Sequence, residues 1–360
     1  MGKNKQMKMR KENLFTLNFF NNGSFLLINC ILFLITNLFL LNCQKQKEIS
    51  FYYWKTNFSL SEKESEALKH FKTKEIYLRF FDVDKKEKDN PIPLGVIGKI
   101  SPPADTSIIP VVYITNHTFH HFTKEDAESL AQKVFSKINS IAKENSIFYN
   151  EIQIDCDWSD STRELYFSFL GKIKTISNKT ISTTIRLHQV KYFERTGIPP
   201  VDKYVLMFYN MGKLGKTESN SIYNSTDAAK YIQSLNKYPK KLDIALPIFS
   251  WVIHKREGII QDLLKDFDLK KLQDKGILKA ADNPNTFLVT NSTLTGGNYF
   301  REEDELHLER ISKEELLNAA TLLHANAKNL NRKIIFFDLD ESNFLNYPYE
   351  FLDQICNSIF

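Results

Sequence analysis

The chain has 360 residues and a formal net charge of +5, with 42% hydrophobic and 25% charged residues. This composition is typical of a globular protein with a sizeable core, and α/β barrels of about 250 residues or more often form one domain. Much of the positive charge lies at Lys3, Lys5, Lys8, Arg10 and Lys11, so the rest of the chain is close to neutral and a nucleic-acid-binding protein is not indicated.

The N-terminal segment has the pattern of an export signal. The basic residues precede an uncharged apolar run from Phe25 to Leu41, and the polar residues 44–48 follow it. The boundary Leu40-Leu41-Asn42-Cys43 is similar to a bacterial lipobox, which predicts residues 1–43 as a lipoprotein signal peptide with lipidation at Cys43. A transmembrane anchor is the alternative, because the run is near the shortest length that spans a bilayer. Both predictions place residues 44–360 at the bacterial cell envelope, outside the cytoplasm.

Residues 44–360 alternate between β-rich runs and segments with helical apolar spacing. The predicted strands are Phe51–Trp54, Glu75–Phe81, Ile109–Thr115, Glu151–Asp157, Ser182–Leu187, Tyr204–Tyr209, Leu242–Phe249 and Lys333–Leu339. The predicted helices are Ser61–Phe71, Lys124–Lys143, Thr162–Lys174, Thr226–Asn236 and Lys313–Asn329. This alternation predicts a single (β/α)8 TIM-type barrel, irregular where crossovers lack a clear helix. Residues 254–309 form a long insertion before the last strand, predicted as a helix over 260–275, a strand near Phe287–Thr290 and a loop at Gly296–Arg301 that could close over the barrel.

Polar and aromatic residues concentrate where the predicted strands end, which is the ligand-binding face of such barrels. On the fourth strand, Gln153, Asp155 and Asp157 alternate with apolar residues and are therefore predicted to share the face that points into the barrel. Two buried carboxylates must be hydrogen bonded, share a proton or pair with a cation. They indicate either an acid–base site or an ion-pair network with Arg79 or Arg186.

Three segments resemble family 18 glycoside hydrolases, which include chitinases and endo-N-acetylglucosaminidases. Residues 152–159 (IQIDCDWS) resemble the D-x-x-D-x-D-x-E strand, Met207–Asn210 resembles the M-x-Y-[DN] strand, and Leu242–Phe249 resembles the later strand of the G-[VL]-P-[FY] type. Over most of residues 44–360 the chain also resembles a group of uncharacterised bacterial barrel lipoproteins with a Q-x-D-x-D strand. The resemblance implies that Asp155 and Asp157 orient and polarise an acetamido group, which Tyr209 helps to position.

Two positions depart from the hydrolase motif. Ile152 stands at the first Asp, and Ser159 stands at the Glu that acts as the general acid in the family. Loss of a general acid costs on the order of a hundredfold or more in rate. Asp160, Asp338 and Asp340 are the candidates to replace it.

Two functional hypotheses follow for an exported, membrane-tethered monomer. In the first, the barrel binds and hydrolyses an N-acetylated glycan. Its catalytic residues would be Asp155, Asp157, Tyr209, Asp338 and Asp340, and its ligand-binding residues would be Trp54, Arg79, Asp82, Gln153, Trp158, Asn210 and Trp251, the three tryptophans because indole rings stack on sugars. In the second, which Ser159 favours, the same scaffold is a non-catalytic glycan-binding or structural envelope lipoprotein. The sequence predicts no cofactor and no metal ligand set, although a divalent-cation site at the Asp pairs is a third hypothesis.

Overall fold

The structure, a computed structural model, describes residues 47–86, 89–212, 214–215, 220–265, 267–326 and 328–360. The predicted export signal over residues 1–43 and the predicted lipidation site Cys43 lie outside these residues. Within the described ranges, no helix has the length and apolar character needed to cross a bilayer.

Eight parallel strands form a closed barrel, which confirms the predicted fold class. The strands are β1 (Glu48–Tyr53), β2 (Glu75–Asp84), β4 (Ser107–Ile114), β5 (Glu151–Asp155), β6 (Thr180–Arg186), β7 (Lys203–Met207), β8 (Leu242–Pro247) and β16 (Leu330–Phe337). Neighbours in this list are hydrogen bonded, and β1 pairs with both β2 and β16, so the sheet closes on itself. A short strand, β3 (Ile92–Leu94), pairs antiparallel with the end of β2.

Helices cover the outer surface of the barrel. They are α1 (Glu62–His70), α2 (Lys124–Glu144), α3 (Arg163–Ser177), α4 (Leu187–Lys191), α5 (Phe193–Thr196), α6 (Ser225–Ile232), α8 (Lys313–Asn326), α9 (Glu341–Asn346) and α10 (Tyr349–Ile359), with α7 (Leu269–Asp274) in the insertion. Ser61 and Thr123 form capping boxes that fix the starts of α1 and α2. The five helices predicted from apolar spacing are therefore present, with ends that differ by a few residues.

Side-chain alternation separates an apolar outer layer of the barrel from a partly polar interior. Ile152 and Ile154 of β5 pack outward with Ile181 and Ile185 of β6 in the main hydrophobic core beneath the helices. The intervening Gln153 and Asp155 point into the barrel, where they contact Tyr52 and Thr184. The predicted division of the fourth strand is confirmed.

The insertion between β8 and β16 is mainly an antiparallel sheet. Its strands are β9 (Ser250–Arg256), β10 (Ile259–Lys265), β11 (Leu278–Ala280), β12 (Thr286–Val289) and β15 (Glu305–Arg310), in the order β10-β9-β15-β12-β11. A separate hairpin joins β13 (Thr293–Thr295) to β14 (Asn298–Phe300) through Gly296 and Gly297, where a loop was expected.

The predicted helix over 260–275 is wrong in its first half, because residues 259–265 form β10. Glu257 and Gly258 both have positive φ, of 51° and 76°, as a tight hairpin turn between β9 and β10 requires. The apolar residues of β10 occur in pairs four residues apart, a spacing that also suits a helix. Pairing with β9 decides between the two.

Candidate functional site

The ends of β5, β6 and β7 border a cavity of about 710 Å³. Its inner part is lined by the buried Tyr209 and the half-buried Asp157 and Arg186, and its outer part includes the exposed His188 and Arg195. The cavity lies at the carboxyl ends of the strands, where the sequence predicts the ligand to bind.

Arg186 holds Asp157 in a two-point ion pair at the base of this cavity. The guanidinium Nε contacts Oδ1 of Asp157 and a terminal nitrogen contacts Oδ2. The other terminal nitrogen donates to the carbonyl of Asn210 at 3.1 Å. The ion-pair alternative for the fourth strand is therefore present with Arg186, and this one side chain connects the ends of three strands.

Asp155 lies deeper than Asp157 and is 9% exposed. The Thr184 hydroxyl donates to its Oδ1 at 2.6 Å. Burial and the neighbouring charge of Asp157 raise the pKa of Asp155 to about 7. A carboxyl group with this pKa exists in both protonation states near neutral pH, so it can either accept or donate a proton.

Gln153 lies below Asp155 and is fully buried. The Tyr52 hydroxyl donates to its Oε1 at 2.8 Å. The side chain of Gln153 fills the barrel interior and is not among the residues that line the cavity, so the structure does not bring it together with Asp157 and Tyr209.

An aromatic cluster surrounds the end of β16. The ring of Phe337 lies 5.3 Å from Trp54, 5.4 Å from Tyr52, 5.6 Å from Tyr209 and 5.3 Å from Phe249. Phe337 and Phe249 were not among the predicted site residues. The signal that could have identified Phe337 is its parity, since Ile335 and Phe337 share the inward face of β16.

The hydroxyl group of Tyr209 remains protonated in this environment. Burial and then the charge of Asp155 raise its pKa well above the usual range. Tyr209 is therefore a hydrogen-bond donor at the wall of the cavity, next to the acceptor Asp157.

The three tryptophans predicted to contact a sugar have different environments. Trp54 is partly exposed and joins the aromatic cluster, while Trp251 packs 5.1 Å from Phe249 and donates to Glu309 at 2.8 Å. Trp158 is only 3% exposed, its ring stacks on Tyr166, and its indole N–H donates to the carbonyl of Thr196 at 3.1 Å. Trp158 lines the cavity but exposes little of its ring there, because β5 ends at Asp155 and the alternation of the strand does not extend to residue 158. Its contact with a sugar stays a prediction.

Arg79 and Asp82 form a second ion pair, at the end of β2. Arg79 donates to the two carboxylate oxygens at 2.7 and 2.5 Å, and to the carbonyl of Trp54 at 3.4 Å. Gly95 closes over this pair with a φ of +55°, and a Cβ there would lie 2.5 Å from the guanidinium. The pair therefore holds Trp54 and the following loop in place, while both residues keep some exposure.

The carboxyl groups of Asp338 and Asp340 are both buried and both paired with a lysine. Asp338 is fully buried, contacts the ammonium of Lys265 from β10 and accepts from Asn343 at 3.2 Å. Asp340 caps α9 through the amide of Ser342 at 2.9 Å and pairs with Lys55 at 2.7 Å. Burial opposes its ionisation, but these donors outweigh burial and lower its pKa. The expected general acid at Asp340 is therefore not supported, because the structure keeps this group ionised.

A cluster of hydroxyl groups follows the end of β5. Ser159 Oγ lies 2.9 Å from the hydroxyl of Ser161 and 3.2 Å from that of Thr162. Asp160 is exposed and pairs with Arg195 at 3.1 Å. The hydroxyl group of Ser159 is a much weaker acid than a carboxyl group. The carboxylate of Asp160 is paired with the guanidinium of Arg195.

The third hypothesis, a divalent-cation site, has no support in the described part of the chain. There, no group of three or more His, Cys, Asp or Glu side chains is arranged to hold a metal ion. The cationic partner of Asp157 is the guanidinium of Arg186.

Comparison with solved structures identifies chitinase-like proteins as structural neighbours. The spore cortex-lytic enzyme SleL of Bacillus cereus has 14% identity, with 87% of this chain and 74% of that chain covered and a TM-score of 0.49. A GH18 chitinase from Cycas revoluta in complex with (GlcNAc)3 has 11% identity, coverage of 86% and 99%, and a TM-score of 0.43. The chitinase-like agglutinin RobpsCRA from Robinia pseudoacacia has 12% identity, the same coverage and a TM-score of 0.41. No protein-family model matches the sequence, and no curated protein matches it either.

Proposed function

We propose that this protein is an exported, membrane-tethered barrel that binds an N-acetylated glycan at its mouth and does not cleave it. The observation that carries the proposal is the wall of the cavity, where Asp157 and Tyr209 stand above the buried Asp155 and Ser159 offers only a hydroxyl group. The sequence resemblance places a general acid at residue 159.

The hydrogen-bonding groups of the wall suit an acetamido group. The amide N–H of the ligand would donate to the carboxylate of Asp157, and its carbonyl would accept from the protonated hydroxyl of Tyr209. Arg186 holds Asp157 in one orientation before any ligand arrives, which reduces the entropy lost on binding. The ring of Tyr209, which packs against Phe337, supplies apolar area next to these polar groups, a combination typical of small-ligand sites.

The absence of cleavage is proposed from the chemistry of proton donation. Glycosidic bond breaking requires an acid near the leaving oxygen, with a pKa close to the working pH. A serine hydroxyl is far too weak an acid, and Asp160 and Asp340 are paired with cations.

One observation favours hydrolysis as the second candidate function. Asp155 has a pKa of about 7 and can hold a transferable proton at neutral pH. It lies beneath Asp157, so it would need a route to the leaving oxygen through a water molecule.

The test is calorimetric titration of the full chain with chitotetraose, together with product analysis after long incubation. We expect binding without turnover, and we expect Tyr209→Phe to weaken binding about tenfold because one neutral hydrogen bond is lost. Tyr204→Phe is the matched control, since this buried hydroxyl donates to Pro199 and Val201 away from the mouth.

Other outcomes have defined meanings. Turnover that disappears in Asp157→Asn would establish the second candidate, and failure to bind any N-acetylated glycan overturns the proposal. Tethering is tested separately by mass analysis of the mature N-terminus, where Cys43→Ala should remove a lipid adduct.

A further inference from the structure

An exposed aromatic ring marks the end of the barrel opposite the mouth. Because the eight barrel strands are parallel, the loops that precede them meet at one end, here called the strand-start face. Phe148 lies in the loop before β5 and is 94% exposed. Its ring is therefore available for contact with a surface that lies against this end of the barrel.

The strand-start face is also basic. Its loops contribute the lysines Lys47, Lys72, Lys74, Lys179, Lys240, Lys241 and Lys328. Within the described residues, none of these lysines lies within ion-pair distance of a carboxylate. Among the described residues at this end, Asp202 pairs with Lys174 at 2.5 Å, and the exposed Asp105 and Glu48 and the half-buried Asp353 are fewer than the seven lysines.

Contacts between neighbouring loops make the face continuous. The ammonium of Lys179 lies 5.4 Å from the ring of Tyr149, next to Phe148. On the other side, Asn329 donates to the carbonyl of Lys240 at 3.0 Å. Both contacts lie at the end of the barrel where the parallel strands begin, so the aromatic ring and the lysines lie at the same end.

The chain reaches the barrel on this same face. Lys47 immediately precedes β1, and its ammonium donates to Asn357 of α10 at 2.6 Å. In the sequence, the apolar run that ends at Leu41 is separated from Lys47 by residues 42–46. A segment of this length spans at most about 20 Å when fully extended.

We infer that the strand-start face rests on an anionic membrane surface, with Phe148 at the level of the lipid headgroups and the mouth directed away from the bilayer. The inference rests on the tethering proposed above. Lysines near a membrane are attracted to anionic headgroups, and aromatic rings are favoured at the boundary between headgroups and acyl chains. A glycan would then reach the mouth from the side of the protein that faces away from the membrane.

The test uses the full chain reconstituted in vesicles of phosphatidylcholine with phosphatidylglycerol. Phe148→Trp reports on the face, and Leu294→Trp, at a 71% exposed position of the insertion, is the matched control. We expect the emission added by Phe148→Trp to fall by about half with acyl-brominated lipids, since an interfacial ring penetrates on the order of 5–10 Å. The emission added by Leu294→Trp should not change.

The charge requirement is tested in the same preparation. Lys240→Glu combined with Lys241→Glu, or vesicles of phosphatidylcholine alone, should restore the emission of the Phe148→Trp variant. If the chain floats with the vesicles but the indoles introduced at positions 148 and 294 are quenched alike, the inference is overturned and tethering stands. If the indole at position 148 is still quenched in the variant with Lys240→Glu and Lys241→Glu, the inferred attraction of these lysines to anionic lipids is overturned. If the chain does not float at all, both tethering and this inference are overturned, whereas glycan binding at the mouth is judged by its own titration.

Discussion

Two buried aspartates, one at the barrel mouth and one in the insertion, have pKa values shifted in opposite directions. Asp304 of the insertion is 1% exposed and accepts from Arg256 at 2.9 and 2.8 Å, from His254 at 2.7 Å and from the amide of Arg301 at 2.7 Å. Burial opposes ionisation of Asp304, but these donors outweigh it and lower its pKa to about 2. Asp155 accepts from a hydroxyl, and burial raises its pKa to about 7.

The opposite pKa shifts indicate different roles for the two carboxyl groups. Asp304 is surrounded by donors that stabilise its charge, so it holds the insertion together. At the mouth, the cation Arg186 is engaged by Asp157, and the charge of Asp157 acts against that of Asp155. A group that lowers the stability of the fold in this way is typical of a ligand site.

The largest expected effect is on the free energy of unfolding, through the carboxyl group of Asp155 at the mouth. The folded pKa of Asp155 exceeds its unfolded value of 3.8, so the folded state binds this proton more tightly, and stability falls as pH rises from about 4 to 7. The shift corresponds to roughly 4 kcal/mol. Asp155→Asn removes the ionisable group and should raise the free energy of unfolding by that order at pH 8, with little change at pH 4.

Urea unfolding at pH 4, 6 and 8 measures this effect. Serine substitution at the exposed Asp282 is the control and should leave the pH profile unchanged. An unchanged difference between wild type and Asp155→Asn at all three pH values would contradict the shifted pKa.

Substitution of Asp304 in the insertion should lower the free energy of unfolding, whereas substitution of Asp155 should raise it. Asp304→Asn leaves the buried His254 and the guanidinium of Arg256 without an anionic partner, and we expect a loss of about 3 kcal/mol at pH 7. Because the folded pKa of Asp304 is lowered, its contribution is present above the unfolded pKa and disappears as pH falls from about 4 toward 2. Hydrogen exchange of β9 and β15 is the measurement. Equal protection of these strands in mutant and wild type would show that the network is dispensable.

Features set by local sequence could be predicted, whereas features set by contacts between distant residues could not. The eight strands and the inward parity of Asp155 follow from local alternation, which the barrel preserves. The burial of Trp158 could not be predicted in this way, because the strand ends at Asp155, before residue 158. The contacts of Lys265 with Asp338 and of Arg256 with Asp304 join residues 73 and 48 positions apart, and no local pattern encodes such distances.

The ion pair at the mouth gives an intermediate effect, on binding. Arg186→Lys keeps the positive charge but loses the two-point geometry on Asp157 and the donation to Asn210. We expect affinity for chitotetraose to fall about tenfold, the equivalent of one or two hydrogen bonds. Arg256→Lys is the matched control in the insertion and should reduce stability without changing affinity. Equal losses of affinity in both variants would mean that the ion pair at the mouth has no specific role in binding.

The smallest expected effect concerns two adjacent threonines on opposite faces of β6. The hydroxyl of Thr184 donates to Asp155, whereas that of Thr183 donates to the carbonyl of Ile154 at 2.8 Å. Thr184→Val removes a donor that stabilises the charged carboxylate, so the pKa of Asp155 should rise further, by about one unit. Thr183→Val has the same change in shape and removes a hydroxyl that does not touch Asp155, so its effect on this pKa should be far smaller. Carbon-13 NMR titration of labelled aspartate carboxyl groups measures both variants, and equal shifts in the two would show that burial and Asp157 alone set the proton affinity of Asp155.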